Sequence, residues 1–74
     1  MDVEVTLFPP LRDNRFSKAT VNLNPPATIQ TLLKSLGIKE KEVESIYVNS
    51  KEASFAQSLS AGDRISFLPL IGGG

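Results

Sequence analysis

The chain has 74 residues, with eight Lys and Arg residues, eight Asp and Glu residues and a formal net charge of zero. A zero net charge argues against a nucleic-acid binder, since such proteins normally carry an excess of basic residues. The chain contains no cysteine and no histidine, which excludes disulfides, thiolate metal sites and cysteine nucleophiles and removes the usual general base.

The N-terminal segment is predicted to form a strand that ends at a pair of prolines. Residues 2–8 alternate between apolar and polar side chains, which predicts a half-buried strand with Phe8 on its wetter face. Prolines 9–10 end the strand because proline has no N–H to donate. Residues 8–12 also fit a polyproline ligand for a partner groove. A second short strand is predicted over residues 19–23, in a hairpin with a long loop.

A short amphipathic helix is predicted to follow the second strand. Its apolar residues recur at i, i+3, i+4 and i+7, which places them on one stripe. These residues are Ile29, Leu32, Leu33 and Leu36. Thr28 is the predicted N-cap, because its hydroxyl can accept a hydrogen bond from a free backbone N–H. Gly37 is predicted to close the helix in a left-handed conformation, with Ile38 folding back as in a Schellman motif.

The second half of the chain is predicted to contain two further strands. Residues 39–42 alternate in charge, which indicates a solvated loop or a single turn. A third strand is predicted over residues 46–48 and a final strand over residues 64–68. In the final strand Leu68 falls on the face opposite Phe67, because side chains alternate along a strand.

This order of elements predicts a two-layer α+β domain. The predicted elements are two strands, one helix and two or more further strands, and none of them can bury its apolar face alone. All the faces are buried if the strands form one sheet packed across the helix. The first and last strands are expected to lie side by side and parallel at the centre of the sheet. The arrangement resembles the β-grasp of ubiquitin, a mixed sheet of four to five strands on one main helix. We expect the domain to cover residues 1–68 and a flexible tail to cover residues 69–74.

The tail ends in three glycines, Gly72, Gly73 and Gly74, after an uncharged apolar run. Glycine loses more conformational freedom on ordering than any other residue, so this segment is not expected to join the core. A backbone without side chains can enter a channel too narrow for other residues. The functional group at its tip would be the α-carboxylate of Gly74. A frayed end without function is the alternative.

Taken together, these features resemble the ubiquitin-like sulfur carriers, the MoaD/ThiS family, over essentially the whole chain. The matching segments are Phe8-Pro9-Pro10-Leu11-Arg12-Asp13, Thr28 with Leu32-Leu33, Val48-Asn49, Leu59 with Gly62-Asp63 and Ile65, and Phe67-Leu68-Pro69-Leu70-Ile71-Gly72-Gly73. Within the family the chain is more similar to the small subunit of molybdopterin synthase than to the thiamine-pathway carrier. Leu70 stands where a second proline is common, and a third glycine follows the usual pair. The mature terminus is therefore either Gly74, which we favour, or a trimmed Gly73.

The resemblance implies a carrier rather than an enzyme, with no bound cofactor or metal. An E1-like adenylyltransferase would activate the Gly74 carboxylate with ATP and magnesium, and a persulfide enzyme would supply sulfur for a C-terminal thiocarboxylate. A synthase large subunit would then take the sulfur, in the first instance for the molybdenum or tungsten cofactor. The alternatives are a carrier for thiamine or another sulfur-containing metabolite, a ubiquitin-like modifier of target lysines, and a β-grasp interaction module whose tail has no role.

Such partners would have to bind a surface of this chain. Phe8, Tyr47 and Leu68 are predicted on the outer face of the sheet, with Leu70 where the chain leaves it. Together they could form an exposed apolar patch, which often marks an interface. Partial burial of these side chains under loops is the alternative.

The sequence shows neither a signal peptide nor an apolar run long enough to span a bilayer. We therefore expect a cytoplasmic domain without membrane or nucleic-acid partners. The free carrier is expected to be a monomer.

Overall fold

The fold is a mixed five-stranded sheet with a helix packed across one face. The computed structural model describes residues 1–11 and 15–70. The strands are β1 (Asp2–Leu7), β2 (Lys18–Asn22), β3 (Val43–Val48), β4 (Lys51–Glu52) and β5 (Arg64–Pro69); helix α1 covers Ile29–Leu36 and a 3-10 helix covers Glu40–Glu42. The order across the sheet is β2-β1-β5-β3-β4. This confirms the predicted ubiquitin-like β-grasp arrangement.

Strands β1 and β5 run parallel and side by side, as the order of elements predicted. Their register places Glu4 beside Arg64 and Leu7 beside Phe67. Strand β2 pairs antiparallel with β1 on one side, and β3 pairs antiparallel with β5 on the other. Strand β5 is thus hydrogen-bonded along both edges, and the C-terminal segment leaves the sheet from its middle rather than from an open edge.

The inner face of the sheet and the apolar stripe of α1 form one core. Phe67 of β5 is its largest fully buried side chain. Three residues of α1 are buried against the sheet, namely Ile29, Leu32 and Leu33. Leu36, the fourth residue of the predicted stripe, is half-buried and packs against the edge of the core. Among the described residues no buried side-chain nitrogen or oxygen lacks a hydrogen-bond partner.

Both ends of α1 carry the predicted caps. The Thr28 hydroxyl accepts the N–H of Thr31 at 3.3 Å, and the Thr31 hydroxyl accepts the N–H of Thr28 at 3.3 Å, a reciprocal capping box. At the other end Gly37 has φ 71°, and the N–H of Ile38 donates to the Leu33 carbonyl at 3.0 Å, as in a Schellman motif. No helix in the described ranges is long and apolar enough to cross a membrane.

The strand bounds differ from the predicted ones where the tertiary structure adds partners. Strand β3 begins at Val43 rather than at residue 46, and β5 ends at Pro69 rather than at residue 68. A bulge between Val43 and Ser45 accompanies this extension. The bulge falls opposite Pro69, which lacks the N–H that a regular ladder needs. The division into a domain over 1–68 and a tail over 69–74 stays a prediction.

The turn between β3 and β4 is tied to the start of β5 by Asn49. Asn49 and Ser50 have φ of 53° and 70°, two consecutive left-handed residues, as a type I′ hairpin turn requires. The Asn49 side chain donates to the Asp63 carboxylate at 3.0 Å and accepts the Arg64 N–H at 3.0 Å. One side chain therefore connects the β3–β4 turn to the start of β5.

We expect Asn49→Ala to lower the free energy of unfolding by about 1–3 kcal/mol, because two hydrogen bonds each worth about 0.5–1.5 kcal/mol are lost. Urea unfolding measures this change. The control is Ser50→Ala, which lies in the same turn and also has a positive φ but leaves the Asn49 hydrogen bonds in place. Equal losses in the two variants would contradict the role of the Asn49 side chain.

Candidate functional site

The candidate site is the point at which the chain leaves β5. Gly72, Gly73 and Gly74, the predicted tail and reacting residues, lie outside the described residues, as do Arg12 and Asp13 of the proline-containing motif. The described part of the site is therefore the segment that leads to the glycines. It consists of the end of β5, the residue that follows it and the surfaces on either side.

The end of β5 is anchored by the 3-10 helix. Pro69 is buried and pairs with Val43 of β3. The N–H of Leu70 then donates to the Glu42 carbonyl at 3.1 Å, whereas the Leu70 side chain is 57% exposed. The backbone is thus held through residue 70 while this apolar side chain faces solvent. Beyond it, a fully extended segment of four residues could reach at most about 14 Å.

A depression of about 330 Å³ lies beside this anchored segment. Its lining residues are Pro10, Leu11, Lys41, Glu42, Pro69 and Leu70. The β1–β2 loop forms one wall, and it is held by Arg15, whose guanidinium donates to the Leu11 carbonyl at 2.9 Å and the Gly37 carbonyl at 3.1 Å. The loop, the 3-10 helix and the end of β5 therefore meet at this depression.

Three of the four predicted partner-binding residues lie together on the outer face of the sheet. Phe8, Tyr47 and Leu68 line a shallow depression of about 430 Å³, and we call these three residues the outer-face patch. Phe8 is 43% exposed, while Tyr47 and Leu68 are half-buried. Leu70 does not line this depression but lies at the neighbouring one beside the tail. The patch is thus exposed at Phe8, as the interpretation of an exposed interface predicts. At Tyr47 and Leu68 it is partly covered, as the alternative predicts.

The other end of the outer face is charged. Glu4 of β1 lies beside Arg64 of β5 in the register, and the Lys18 ammonium lies 3.3 Å from the Glu4 carboxylate. The side chains of this ion pair are 63% and 42% exposed, so the pair contributes roughly 0.2–1 kcal/mol at most. The outer face is therefore apolar near the C-terminal exit and charged away from it.

Glu42 and Arg15 were not identified from the sequence as parts of the site. Arg15 offered no signal, because its acceptors are the backbone carbonyls of Leu11 and Gly37, which no side-chain pattern marks. Glu42 offered a weak signal, because a glutamate three residues after the N-cap of a turn is typical of a capping residue. In the described ranges no group of three or more Asp or Glu side chains is arranged to hold a metal ion.

Comparison with known proteins identifies the family. The model of the ThiS family matches residues 5–74. No curated protein matches the chain. Among solved structures, a chain from the complex of subunits 1 and 2 of molybdopterin-converting factor from Helicobacter pylori is 31% identical, with 100% of both chains covered and a TM-score of 0.66.

Two more distant structures share the fold. Small archaeal modifier protein 1 from Haloferax volcanii is 18% identical, with 95% of this chain and 98% of that chain covered and a TM-score of 0.76. A thiamine biosynthesis protein from Geobacter metallireducens is 23% identical, with 96% of this chain and 87% of that chain covered and a TM-score of 0.58. Since the family match runs over nearly the whole chain, and the Helicobacter chain is matched in full, this protein belongs to the ThiS family, within the ubiquitin-like sulfur carriers of MoaD/ThiS type.

Proposed function

We propose that this protein carries sulfur as a thiocarboxylate on the C-terminal carboxyl group of Gly74. The main support is the family match, which continues through Gly74 itself. The anchoring of Leu70 at the end of a central strand also supports it, because a tail that starts from a fixed point can be presented to a partner in one direction. The chain has neither cysteine nor histidine, so activating and transferring groups would be supplied by partner enzymes.

The chemistry overcomes the low reactivity of a carboxylate, whose negative charge is delocalised over both oxygens. An E1-like adenylyltransferase would join the Gly74 carboxylate to the AMP portion of magnesium-bound ATP, and pyrophosphate would leave. A persulfide sulfur would then attack the carbonyl carbon, and AMP would leave. A second thiol would cleave the resulting acyl disulfide, so that the thiocarboxylate stays on the carrier and a disulfide forms on the donor.

We propose that a synthase large subunit uses this sulfur to build a pterin dithiolene, in the pathway to molybdopterin. The support is that the 31%-identical chain comes from a complex of two molybdopterin-converting subunits. The glycine tail would enter the synthase, and the outer-face patch would lie against its surface. Thiamine or another sulfur-containing metabolite is the alternative product, and the activating reaction would be the same for each.

The decisive experiment supplies the purified protein with ATP, magnesium and a cognate activating enzyme. Formation of the adenylate, followed by a mass gain equal to replacement of oxygen by sulfur on addition of sulfide, is the expected result. Repeated failure with several activating enzymes that charge related carriers would contradict the proposal. The intact mass of the protein from its native cell would decide whether Gly74 or Gly73 is the working terminus.

A second candidate function is protein modification, favoured by the likeness to small archaeal modifier protein 1. In that case the Gly74 carboxyl group would form an amide with a lysine of a target protein. A ladder of high-mass conjugates that survives thiol treatment would support this function. A sulfur carrier alone would give only the thiocarboxylate, because its activated carboxyl group is consumed by the sulfur nucleophile.

We expect Leu68→Glu to weaken binding of the synthase or the activating enzyme by about tenfold or more, the range expected for a residue central to an interface. The charge would lie in the outer-face patch rather than in the core, so the fold should be retained. Calorimetric titration measures the affinity, and circular dichroism measures the fold.

Gln57→Glu is the matched control, because it adds the same charge at an exposed loop position outside the patch. Should Leu68→Glu fail to fold, Leu68→Ser tests the same contact without a charge. An unchanged affinity in a folded Leu68 variant would rule out the patch as the binding surface.

A further inference from the structure

Glu42 binds the C-terminal segment through its backbone carbonyl and closes the 3-10 helix through its side chain. Its carbonyl accepts the N–H of Leu70 at 3.1 Å. Its carboxylate accepts the N–H of Lys39 at 2.8 Å, and its own N–H donates to the Lys39 carbonyl at 3.0 Å. Glu42 therefore accepts the hydrogen bond of Leu70, just after β5, and also closes the 3-10 turn.

The carboxylate of Glu42 is the side-chain cap of this turn. A helix of three residues is marginal by itself, because few hydrogen bonds offset the cost of ordering its backbone. The N-cap residue, Lys39, has an ammonium group that can donate but cannot accept, so it cannot cap a free N–H. The hydrogen bond from the Lys39 N–H to the Glu42 carboxylate is charge-assisted and hence stronger than a neutral one.

The end of β5 depends on this turn because of Pro69. A proline cannot donate a backbone hydrogen bond, and β3 has a bulge between Val43 and Ser45 opposite this proline. The next donor along the chain is the N–H of Leu70, and its acceptor is the Glu42 carbonyl. The position of the turn therefore sets the position of the Leu70 backbone, where the described chain ends.

We propose that Glu42 is a positioning residue for the carrier reaction: its carboxylate holds the 3-10 helix, and the helix fixes the start of the glycine tail through Leu70. This inference rests on the proposed sulfur-carrier function. Releasing one further residue from the sheet would change the reach of the tail by about 3.3–3.6 Å. A reacting group misplaced by about 1 Å can lose on the order of 10²-fold in rate.

The test compares Glu42→Ala with Glu40→Ala, which removes the same charge from the same 3-10 helix but leaves the cap in place. In Glu42→Ala we expect hydrogen exchange of the Leu70 amide to accelerate by about tenfold or more, because local opening of the turn exposes it. The rate of sulfur transfer at saturating partner should fall by about tenfold or more. Affinity for the partner should change by less than about twofold, since the outer-face patch is intact. Glu42→Gln, whose amide oxygen can still accept the Lys39 N–H, should recover most of both losses.

The outcomes separate this inference from the proposed function. Faster exchange at Leu70 with an unchanged transfer rate would overturn the positioning role while sulfur carriage stands. Unchanged exchange at Leu70 would show that the carboxylate does not hold the turn, which also overturns the positioning role.

If the wild-type protein were never charged, the proposed function would fail and the positioning role with it, although the exchange data would still report the anchoring of Leu70. A general loss of stability would lower the unfolding midpoint and accelerate exchange throughout the sheet, rather than at Leu70 and the turn alone.

Discussion

Removal of Gly73 and Gly74 is expected to abolish adenylation and thiocarboxylate formation while leaving the free energy of unfolding nearly unchanged. The reacting carboxyl group would be withdrawn by two residues, about 7 Å of extended chain, from the active site of the activating enzyme. Within residues 1–11 and 15–70, by contrast, the buried apolar core runs from Val3 to Phe67. Intact-mass spectrometry after incubation with ATP, activating enzyme and sulfide measures charging, and urea unfolding measures stability.

Leu70→Ala is the control for this truncation, because it removes an exposed apolar side chain next to the tail but keeps the terminal carboxyl group in position. At saturating activating enzyme it should still be charged, because the reacting carboxyl group is in place. A truncated protein that is still charged would place the reacting group elsewhere. One that unfolds much earlier than the full chain would show that the glycines contribute to the fold.

Leu33→Ala is expected to lower the free energy of unfolding by about 2–5 kcal/mol, the cost of a large cavity in a packed core. Leu33 is 1% exposed and lies on the buried stripe of α1. A domain of this size has a stability near the lower end of about 5–15 kcal/mol, so the variant is expected to be close to unfolding at ambient temperature. Urea or thermal unfolding followed by circular dichroism measures the effect.

Lys34→Ala provides the matched control, because Lys34 neighbours Leu33 on the same helix and is exposed. Its change in stability should be within about 0.5 kcal/mol, as for most surface positions. Similar losses in the two variants would contradict the assignment of Leu33 to the core. A folded Leu33→Ala protein should still be charged at Gly74, since the helix lies on the opposite face of the sheet from the outer-face patch.

Part of the candidate site could be predicted from the sequence. Alternation in β1 and β5 placed Phe8 and Leu68 on the outer face, because the period of a strand is two and each side chain follows from its neighbours. The fourth predicted residue, Leu70, lies at a different depression, where it follows the end of β5 and its N–H donates to the Glu42 carbonyl of the 3-10 helix. That contact joins residues far apart in the chain, so a local pattern does not show it.

Local signals determined the helix of this protein. Thr28, the apolar stripe and Gly37 each act within one or two turns, so the caps and bounds of α1 follow from nearby residues alone. The order of elements determined the parallel pair β1 and β5, because few connections satisfy the rules of crossover and burial. The family resemblance, carried by short segments in a fixed order, extended this prediction to the glycine tail.

Contacts between distant segments decided the rest. The two-residue strand β4 is too short to show a period, and it forms because β3 offers it a paired edge. The hydrogen bonds of Asn49 to Asp63 and Arg64, and that of Leu70 to Glu42, join residues far apart in the chain. A sequence states which residues can donate and accept, whereas only the packed sheet brings a given donor within about 3 Å of a given acceptor. For this reason the anchor of Leu70 at Glu42 required the tertiary structure, whereas the glycine tail stays a prediction from the sequence.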